Sequence, residues 1–275
     1  MGIPKDKLTS CSLGKKFLSI SVTGGKCRLN CSHCQGKYLE GMLSVRSPDD
    51  LLNIAADLRP SGNGILISGG CDKDGKVPLR GYLPTIRKIS DSGLKVNLHP
   101  GIMTEDDIVL FSGMNGVCLS VDVHQDPKII KDVFKLKGPE VYRDTLNAAL
   151  SAGCDVMPHL TVGLSDADLK ESAGLVKEKG IKNIVLLALV PTEGTPYENN
   201  DLTEDGVVDA VRFLIDMGFT VTLGCMRDRR MRTLEKRAIK EGVRKIANMS
   251  LETELWAKSE GYEIFREEMC CCFSE

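Results

Sequence analysis

The sequence lacks the features of a membrane-spanning, secreted or nucleic-acid-binding chain. No run of about 18 apolar residues occurs, so no segment is predicted to span a membrane. Residues 1–7 lack the apolar core of a signal peptide, which argues against secretion. Aromatic residues make up only 5% of the chain, the net charge is −2, and there is no basic stripe with interleaved aromatic residues. We therefore expect a cytoplasmic protein that contacts neither a membrane nor a nucleic acid.

Cysteine, by contrast, is abundant, because the 275 residues include 11 cysteines. An odd number of cysteines in a chain of this length is not typical of a disulfide-stapled secreted scaffold. A reducing cytoplasm with metal-bound thiolates explains this composition better.

Three of these cysteines are closely spaced in a C-x3-C-x2-C pattern, at Cys27, Cys31 and Cys34, after the strand-like run 17–22. Three thiolates on one short loop can each bind one iron of a [4Fe–4S] cluster, which leaves the fourth iron open. An open metal position is typical of catalytic sites, whereas structural sites are closed. The alternative is a zinc site with His33 as the fourth ligand. We disfavour it because His33 lies between two of the cysteines and would have to fold back.

The rest of the chain predicts a parallel α/β fold. Helical segments end at a glycine and are followed by short apolar runs, which is the pattern of repeated βα units. Helix starts are predicted at Ser47, Thr104 and Ser165, each followed by acidic residues in the first turn. Eight strand candidates alternate with the helices, at 17–23, 64–68, 95–99, 116–122, 156–162, 183–190, 219–224 and 244–248.

Eight βα units match a closed (β/α)8 TIM-like barrel, which takes about 250 residues as one domain. The alternative is a partial (β/α)6 barrel with extra C-terminal elements, because the last two strand candidates are short. No linker or low-complexity segment divides the chain, so we expect a single domain over residues 1–275. Residues 1–16 and the tail 261–275 lie outside the repeat and are expected to pack on or near the barrel.

Glycines and polar groups follow several of the predicted strands. Ser68-Gly69-Gly70-Cys71 follows the second strand, and its two glycines let the backbone approach a ligand closely. The fourth strand ends at Asp122, and histidines lie on the strands on either side of it, at His99 and His159. Since chemistry in parallel βα folds gathers at the carboxyl ends of the strands, these residues are candidate ligand-binding groups. A structural role remains the alternative for Asp122 and the two histidines.

Taken in order, these motifs resemble those of the radical S-adenosylmethionine (radical SAM) superfamily. The cysteine spacing resembles its cluster-binding motif, although His33 stands where an aromatic residue usually precedes the last cysteine. Ser68-Gly69-Gly70 resembles its Gly-Gly-Glu segment, with Cys71 in place of the acid. Gly194-Thr195-Pro196 and the strand end at Cys225 are similar to those of biotin-synthase-like members. Among these, the chain most resembles one component of the archaeal two-protein lipoyl synthase.

The resemblance implies an enzyme that inserts sulfur into an unactivated C–H bond. In this superfamily the open iron binds SAM, and an electron from the cluster splits SAM into methionine and a 5′-deoxyadenosyl radical that abstracts hydrogen. The substrate implied here is an octanoyl chain carried by a protein or peptide, as in lipoyl cofactor synthesis. The implied partners are a low-potential electron donor and a second radical SAM protein.

The resemblance also implies roles for individual residues. The catalytic [4Fe–4S] cluster would be held by Cys27, Cys31 and Cys34. The SAM-binding residues would be Ser68, Gly69, Gly70, Asp122 and His159. A second [4Fe–4S] cluster, as the sulfur source, would be held by Cys11, Cys71 and Cys225. The run Cys270-Cys271-Cys272 stays open between a mobile sulfur carrier, a ligand that reaches a cluster, and an incidental feature.

Two other functions stay open at this point. One is a radical SAM enzyme of the same fold that acts on another small substrate, by biotin-synthase-like chemistry, methylation or cofactor assembly. The other is a metal-binding scaffold without catalytic activity.

Overall fold

The computed structural model describes residues 7–273, which form one parallel sheet with helices between its strands. The strands are β1 Lys7–Cys11, β2 Phe17–Ser21, β3 Leu43–Ser44, β4 Gly64–Ser68, β5 Lys95–Leu98, β6 Val117–Asp122, β7 Asp155–Val162, β8 Asn183–Ala188, β9 Thr220–Leu223, β10 Lys245–Ala247 and β11 Glu263–Glu267. The α-helices are α1 Pro48–Leu58, α2 Leu83–Asp91, α3 Glu105–Phe111, α4 Pro127–Asp132, α5 Glu140–Ser151, α6 Asp166–Glu178, α7 Glu204–Asp216, α8 Leu234–Glu241 and α9 Leu251–Ser259. Short 3-10 helices span Lys37–Leu39 and Arg80–Tyr82.

The predicted helix starts are confirmed. The Ser47 side chain accepts a hydrogen bond from the Asp50 amide at the start of α1, and Ser165 caps α6 in the same way. Thr104 forms a reciprocal capping box with Asp107 at the start of α3. Each cap satisfies an amide that the first helical turn leaves without a partner, so these side chains determine where the helices begin.

All eight predicted strands are present, and they lie side by side in chain order from β2 through β4 to β10. Neighbouring strands in this row are parallel, so their carboxyl ends meet along one edge of the sheet. Three further strands extend the row. β3 joins β2 at one end, and β1 followed by β11 joins β10 at the other.

The sheet is open rather than closed. Across residues 7–273, β3 and β11 form its two ends and do not pair with each other. The parallel α/β class is therefore confirmed, and the partial barrel is the form that fits. β1 lies between β10 and β11, so residues near both ends of the chain complete one end of the sheet.

The two faces of the sheet pack against different partners, because successive strand residues point to opposite sides. On β6, Val117, Leu119 and Val121 belong to the large core between the sheet and the helices. The intervening Cys118 packs on the inner face with Phe17, near the amino ends of the strands. Residues 269–273 of the tail pack on the same inner face.

The segments expected beside the barrel are partly described. Residues 7–11 form β1 and residues 263–267 form β11, while residues 1–6 and 274–275 lie outside the described part of the chain. Among the helices of residues 7–273, none has the length and apolar character needed to cross a membrane.

Candidate active site

The three-cysteine loop leaves β2 at the carboxyl edge of the sheet. Cys31 is buried, and Cys27 and Cys34 are half-buried. The Cys31 carbonyl accepts hydrogen bonds from the amides of Cys34 and Gln35, at 3.3 and 2.9 Å, which folds the loop into a turn. Gly36 follows with a φ of 80°, a left-handed conformation that glycine adopts without strain. The turn therefore holds the three thiols on one compact segment.

Gly70, which follows β4, lies directly against this loop. A Cβ atom built on Gly70 would lie 2.0 Å from the Lys26 carbonyl oxygen and 2.5 Å from the Cys27 Cα. Real Cβ atoms do not approach backbone atoms so closely, so only glycine fits here. The Gly70 amide donates a hydrogen bond to Thr23 Oγ1 at 2.6 Å, which fixes the contact. The glycine pair thus makes the close backbone approach that the sequence predicts.

Two other segments hold the loop from the outside. The Ser32 amide donates a hydrogen bond to the Val133 carbonyl, after α4, at 2.8 Å. The Tyr38 hydroxyl lies 3.2 Å from Thr192 Oγ1 in the proline-containing loop 190–197. The cysteine loop is therefore fixed by contacts from three separate segments at the carboxyl edge of the sheet.

These strand ends surround a cavity of about 310 Å³. The cysteine loop forms one wall. Ten of the eleven residues assigned roles by sequence border this cavity, namely Cys27, Cys31, Cys34, Ser68, Gly69, Gly70, Cys71, Asp122, His159 and Cys225. Residues from distant parts of the chain thus converge on one space.

The eleventh residue, Cys11, does not border the cavity, and the predicted set Cys11, Cys71 and Cys225 is not brought together as one group. Cys71 lies beside Cys27, and burial raises the pKa of its thiol to about 12. Cys11 ends β1, and its side chain lies in one buried cluster with Phe17 and Cys118. Only Cys71 and Cys225 of this set border the cavity.

Two of the loop cysteines share a hydrogen bond. This bond lowers the pKa of the Cys34 thiol to about 4, against the opposing effect of burial, and raises the pKa of Cys31. The neighbouring His33 side chain lowers the pKa of Cys34 further. Since thiolates rather than thiols bind metals, the loop presents a deprotonated ligand at neutral pH.

The wall across from the loop is polar. His159 Nδ1 lies 3.8 Å from Asp122 Oδ1, and the rings of His159 and His99 are 5.1 Å apart. Burial by itself raises the pKa of Asp122, but the imidazole of His159 outweighs it and keeps that pKa below its usual range. Burial, reinforced by His159, lowers the pKa of His99 to about 4, so His99 is neutral at pH 7. The cavity therefore offers one carboxylate and one neutral imidazole to a ligand.

A family profile described as the radical SAM superfamily matches residues 21–176, which is more than half of the chain. The chain belongs to the radical SAM superfamily. The matched range contains the cysteine loop, the glycine pair, Asp122 and His159, so it covers most of the cavity. Membership implies a [4Fe–4S] cluster and SAM as cofactors.

The sequence of one related protein supports the family assignment. A biotin synthase of Prochlorococcus marinus is 24% identical over 204 residues, an alignment that covers 67% of this chain and 59% of that protein. The biotin-synthase-like resemblance is thus confirmed as a similarity, while the chain matches less than two thirds of the relative's length.

Solved structures share the fold. Methylornithine synthase PylB superposes with a TM-score of 0.65 at 11% identity, over 94% of this chain and 84% of that one. Streptococcus suis SuiB bound to S-adenosylmethionine superposes with a TM-score of 0.58 at 12% identity, over 74% of this chain and 47% of that one. At these identities the likeness concerns the fold alone.

The loop fits a radical SAM cluster. Across residues 7–273, no three or more His, Cys, Asp and Glu side chains form a group that could hold a metal ion. An iron–sulfur cluster needs a different arrangement of ligands, because each thiolate binds its own iron and the thiolates need not converge on one point. The Gly70 contact leaves the backbone beside Cys27 tightly packed, while the thiols of Cys27, Cys31 and Cys34 border the cavity. The buried His33 Nδ1 has no hydrogen-bond partner.

Sequence reasoning missed the apolar wall of the radical SAM site. Phe134 and Tyr142 border the cavity, and the His33 ring packs 5.2 Å from that of Phe134. His124 stacks on Phe134 at 4.1 Å and is hydrogen-bonded to Asp168 at 2.7 Å, both groups being buried. These residues belong to no local motif. Only the polar residues Asp122, at the end of β6, and His124, two positions later, offered a signal.

Proposed function

We propose that this radical SAM protein inserts sulfur into an unactivated C–H bond of a protein-bound octanoyl chain, as in lipoyl cofactor synthesis. The observation that carries the proposal is the cavity at the carboxyl ends of the strands, because it has the three-cysteine loop on one wall and further cysteines, Cys71 and Cys225, on its lining. The similarity to a biotin synthase supports it. The many apolar side chains on the lining also suit a reaction that must exclude water.

The first step belongs to the cysteine loop. Cys27, Cys31 and Cys34 would hold a [4Fe–4S] cluster, which with SAM supplies the 5′-deoxyadenosyl radical when both are bound. The contacts from Gly70, Val133 and the loop 190–197 keep these ligands in place. Rigid placement matters because small displacements of a reacting group are costly in rate.

SAM would be oriented by the strand ends. We assign Ser68, Gly69, Gly70, Asp122 and His159 to SAM, since all five border the cavity. The low pKa of Asp122 keeps it ionised, so it can accept hydrogen bonds from hydroxyl or amino groups. Apolar side chains on the rest of the lining, among them Leu29, Ile102, Phe134, Leu187 and Leu189, would shield the radical from water and from stray hydrogen donors.

The sulfur would come from a second iron–sulfur cluster within the chain. Two of the three cysteines that sequence assigned to it, Cys71 and Cys225, border the cavity. Cys71 lies beside Cys27, which places it in the surroundings of the first cluster. Cys225 is therefore the member of the set that is free to serve another site. An octanoylated protein or peptide, a low-potential electron donor and a second radical SAM protein complete the proposal as partners.

The test is an anaerobic reaction of the reconstituted chain with SAM, dithionite and an octanoylated lysyl peptide, analysed by mass spectrometry. We expect 5′-deoxyadenosine together with a peptide that has gained sulfur. Adding a candidate second radical SAM protein tests the partner. If 5′-deoxyadenosine forms but the peptide gains no sulfur, with or without the partner, the proposed octanoyl substrate is refuted. That result would favour a radical SAM enzyme that acts on another molecule.

A further inference from the structure

Residues 128–137, which we call the basic segment, combine four exposed lysines with one acidic residue, Asp132. The lysines are Lys128, Lys131, Lys135 and Lys137. The segment comprises most of α4 and the turn that follows it. Lys128 and Lys131 are three positions apart in the helix, so they share one face of it. Since the whole chain has a net charge of −2, this group of cations is a local feature.

The charges of these lysines are not neutralised by ion pairs. Across residues 7–273, none of the four ammonium groups forms a salt bridge with a carboxylate. Lys135 Nζ instead donates a hydrogen bond to the Asp132 carbonyl oxygen at 2.6 Å. The arginine-rich run 227–237 differs, because five of its six cationic side chains are paired with carboxylates. The basic segment therefore presents positive charge that a partner can use.

The lysines lie on the outer side of the cavity wall. Val133, Phe134 and Leu136 are buried, whereas Lys135 and Lys137 are exposed. Phe134 and Leu136 border the cavity, and none of the four lysines does. A partner bound to the lysines would therefore lie outside the cavity.

The same segment contacts the cysteine loop directly. The carbonyl oxygens of Asp132 and Val133 accept hydrogen bonds from the Ser32 hydroxyl and amide, at 2.9 and 2.8 Å. The Phe134 carbonyl oxygen lies 4.0 Å from Cys31 Sγ. The next residue in the chain is one of the exposed lysines, so the protein surface comes close to a cluster ligand at this point.

The cysteine loop also has a neighbour of opposite charge. Residues 190–201, which hold Tyr38 through Thr192, include three acidic residues and no Lys or Arg. They are Glu193, Glu198 and Asp201. An acidic protein surface would be attracted to the basic segment and repelled by residues 190–201, which favours one docked orientation beside the cysteine loop.

We propose that the basic segment docks an acidic protein that donates single electrons to the cluster of the cysteine loop. The inference rests on the cluster and the electron donor of the proposed function, and it adds the docking surface and the charge of that donor. In each transfer the donor is oxidised by one electron, which is consumed when SAM is split into methionine and the 5′-deoxyadenosyl radical. A protein that carries the substrate fits this surface less well, because its acyl chain has to enter the cavity and the lysines lie outside it.

The first test measures binding without turnover. The reconstituted chain is titrated with an acidic [2Fe–2S] ferredoxin in its oxidised form, and calorimetry gives the dissociation constant at low and at physiological ionic strength. We expect the affinity to fall as salt is added, because salt screens exposed charges. Lys131→Glu/Lys137→Glu should raise the dissociation constant at low salt by about tenfold, because it places like charges in the interface.

The matched control is Lys170→Glu/Lys177→Glu. Both lysines are exposed on α6, and the net charge changes by the same amount as in the first variant. Its dissociation constant should stay within about twofold of that of the unchanged chain, since only charges in the interface act strongly.

The second test compares two reductants by the rate of 5′-deoxyadenosine formation. With reduced ferredoxin below saturation, Lys131→Glu/Lys137→Glu should slow this rate by about tenfold. With dithionite, a small reductant that needs no docking surface, the variant should match the unchanged chain. The dithionite rate also shows that the variant is folded and holds its cluster.

Several outcomes would overturn the proposal. They are no binding of ferredoxin to the unchanged chain, binding that salt does not weaken, or equal dissociation constants for the two double variants. Unchanged ferredoxin binding together with slower dithionite-driven modification of an octanoylated protein would instead assign the basic segment to the substrate protein. Neither test uses sulfur gain as a readout, so a failure of the octanoyl substrate would leave this proposal standing.

Discussion

Gly70 lies against the backbone of Cys27 so closely that a methyl group on Gly70 would be 2.5 Å from the Cys27 Cα and 2.7 Å from its Cβ. The first metal ligand of the radical SAM loop is therefore positioned by a residue that is 43 positions away in the chain and has no side chain.

Gly70→Ala should displace the cysteine loop. Because the added methyl overlaps the Lys26 carbonyl oxygen and the Cys27 Cα, the loop must shift, and we expect the rate of 5′-deoxyadenosine formation to fall about 100-fold. The rate is measured by chromatography after reconstitution with SAM and dithionite. Gly25→Ala is the matched control, since a Cβ there has no neighbour within 4 Å, and it should keep most of the rate. Equal rates for the two variants would show that the contact does not position the loop.

Each ligand of the first cluster should be indispensable. Substituting Cys27, Cys31 or Cys34 with Ala leaves a cluster with two protein ligands, so we expect no SAM cleavage above background. The measurement is the yield of 5′-deoxyadenosine and methionine. Cys154→Ala removes a half-buried cysteine that does not line the cavity, so this control should cleave SAM normally. SAM cleavage that persists in all three single variants would show that this loop does not hold the cluster.

The buried acceptor Asp168 should stabilise the apolar wall of the cavity. It accepts hydrogen bonds from His124 Nδ1 at 2.7 Å, from the Gln125 amide at 2.7 Å and from the Asp126 amide at 2.9 Å. Asp168→Ala leaves three donors without an acceptor, so the free energy of unfolding should fall by about 3 kcal/mol. Urea unfolding of the metal-free protein measures it. Asp166→Ala, at an exposed position in the same helical turn, should change it by less than about 0.5 kcal/mol. Similar losses in both variants would contradict the role of the buried carboxylate.

The buried ion pair of Arg227 and Glu235 should stabilise the end of the sheet around β9 and β10. Arg227 Nη2 contacts Glu235 Oε1, and Glu235 Oε2 accepts a hydrogen bond from the Ser250 amide at 2.9 Å. Removing one charge from such a pair leaves the other buried alone, so Glu235→Gln should lower the free energy of unfolding by about 3 kcal/mol at pH 7.

The effect of Glu235→Gln should depend on pH. Burial raises the pKa of Glu235, but Arg227 outweighs it, so the folded-state pKa lies below the usual value. A lowered folded-state pKa contributes stability above the unfolded-state pKa of about 4.3, and this contribution is lost as the pH falls through the folded-state pKa. The difference between the variant and the unchanged protein should therefore be larger at pH 7 than at pH 3. Glu252→Gln, in an exposed pair with Lys236, is the control. A difference that grows on acidification would contradict the ion pair.

Local patterns in the sequence were sufficient for the central part of the fold. The eight central strands were predicted because each is an apolar run preceded by a glycine or a polar turn, and such runs between helices are typical of buried parallel strands. The caps at Ser47, Thr104 and Ser165 are also local, since a side chain there bonds an amide three residues ahead.

The remaining features depend on pairing between distant residues. β1 and β11 pair with each other although they come from opposite ends of the described chain. No local pattern in either segment predicts that pairing. The same holds for Cys11 and Cys270, which are separated by almost the whole chain and belong to one buried cluster. The cysteine loop could be identified from spacing alone, whereas this buried cluster could not.

The pairing of β1 has a consequence for synthesis on the ribosome. β1 is made first, but its neighbours β10 and β11 begin only at Lys245 and Glu263. For most of translation this strand exposes unbonded amide and carbonyl groups on both sides, which makes it a template for strands of other nascent chains. This topology therefore delays the pairing of β1 until nearly all the strands of the sheet have been synthesised.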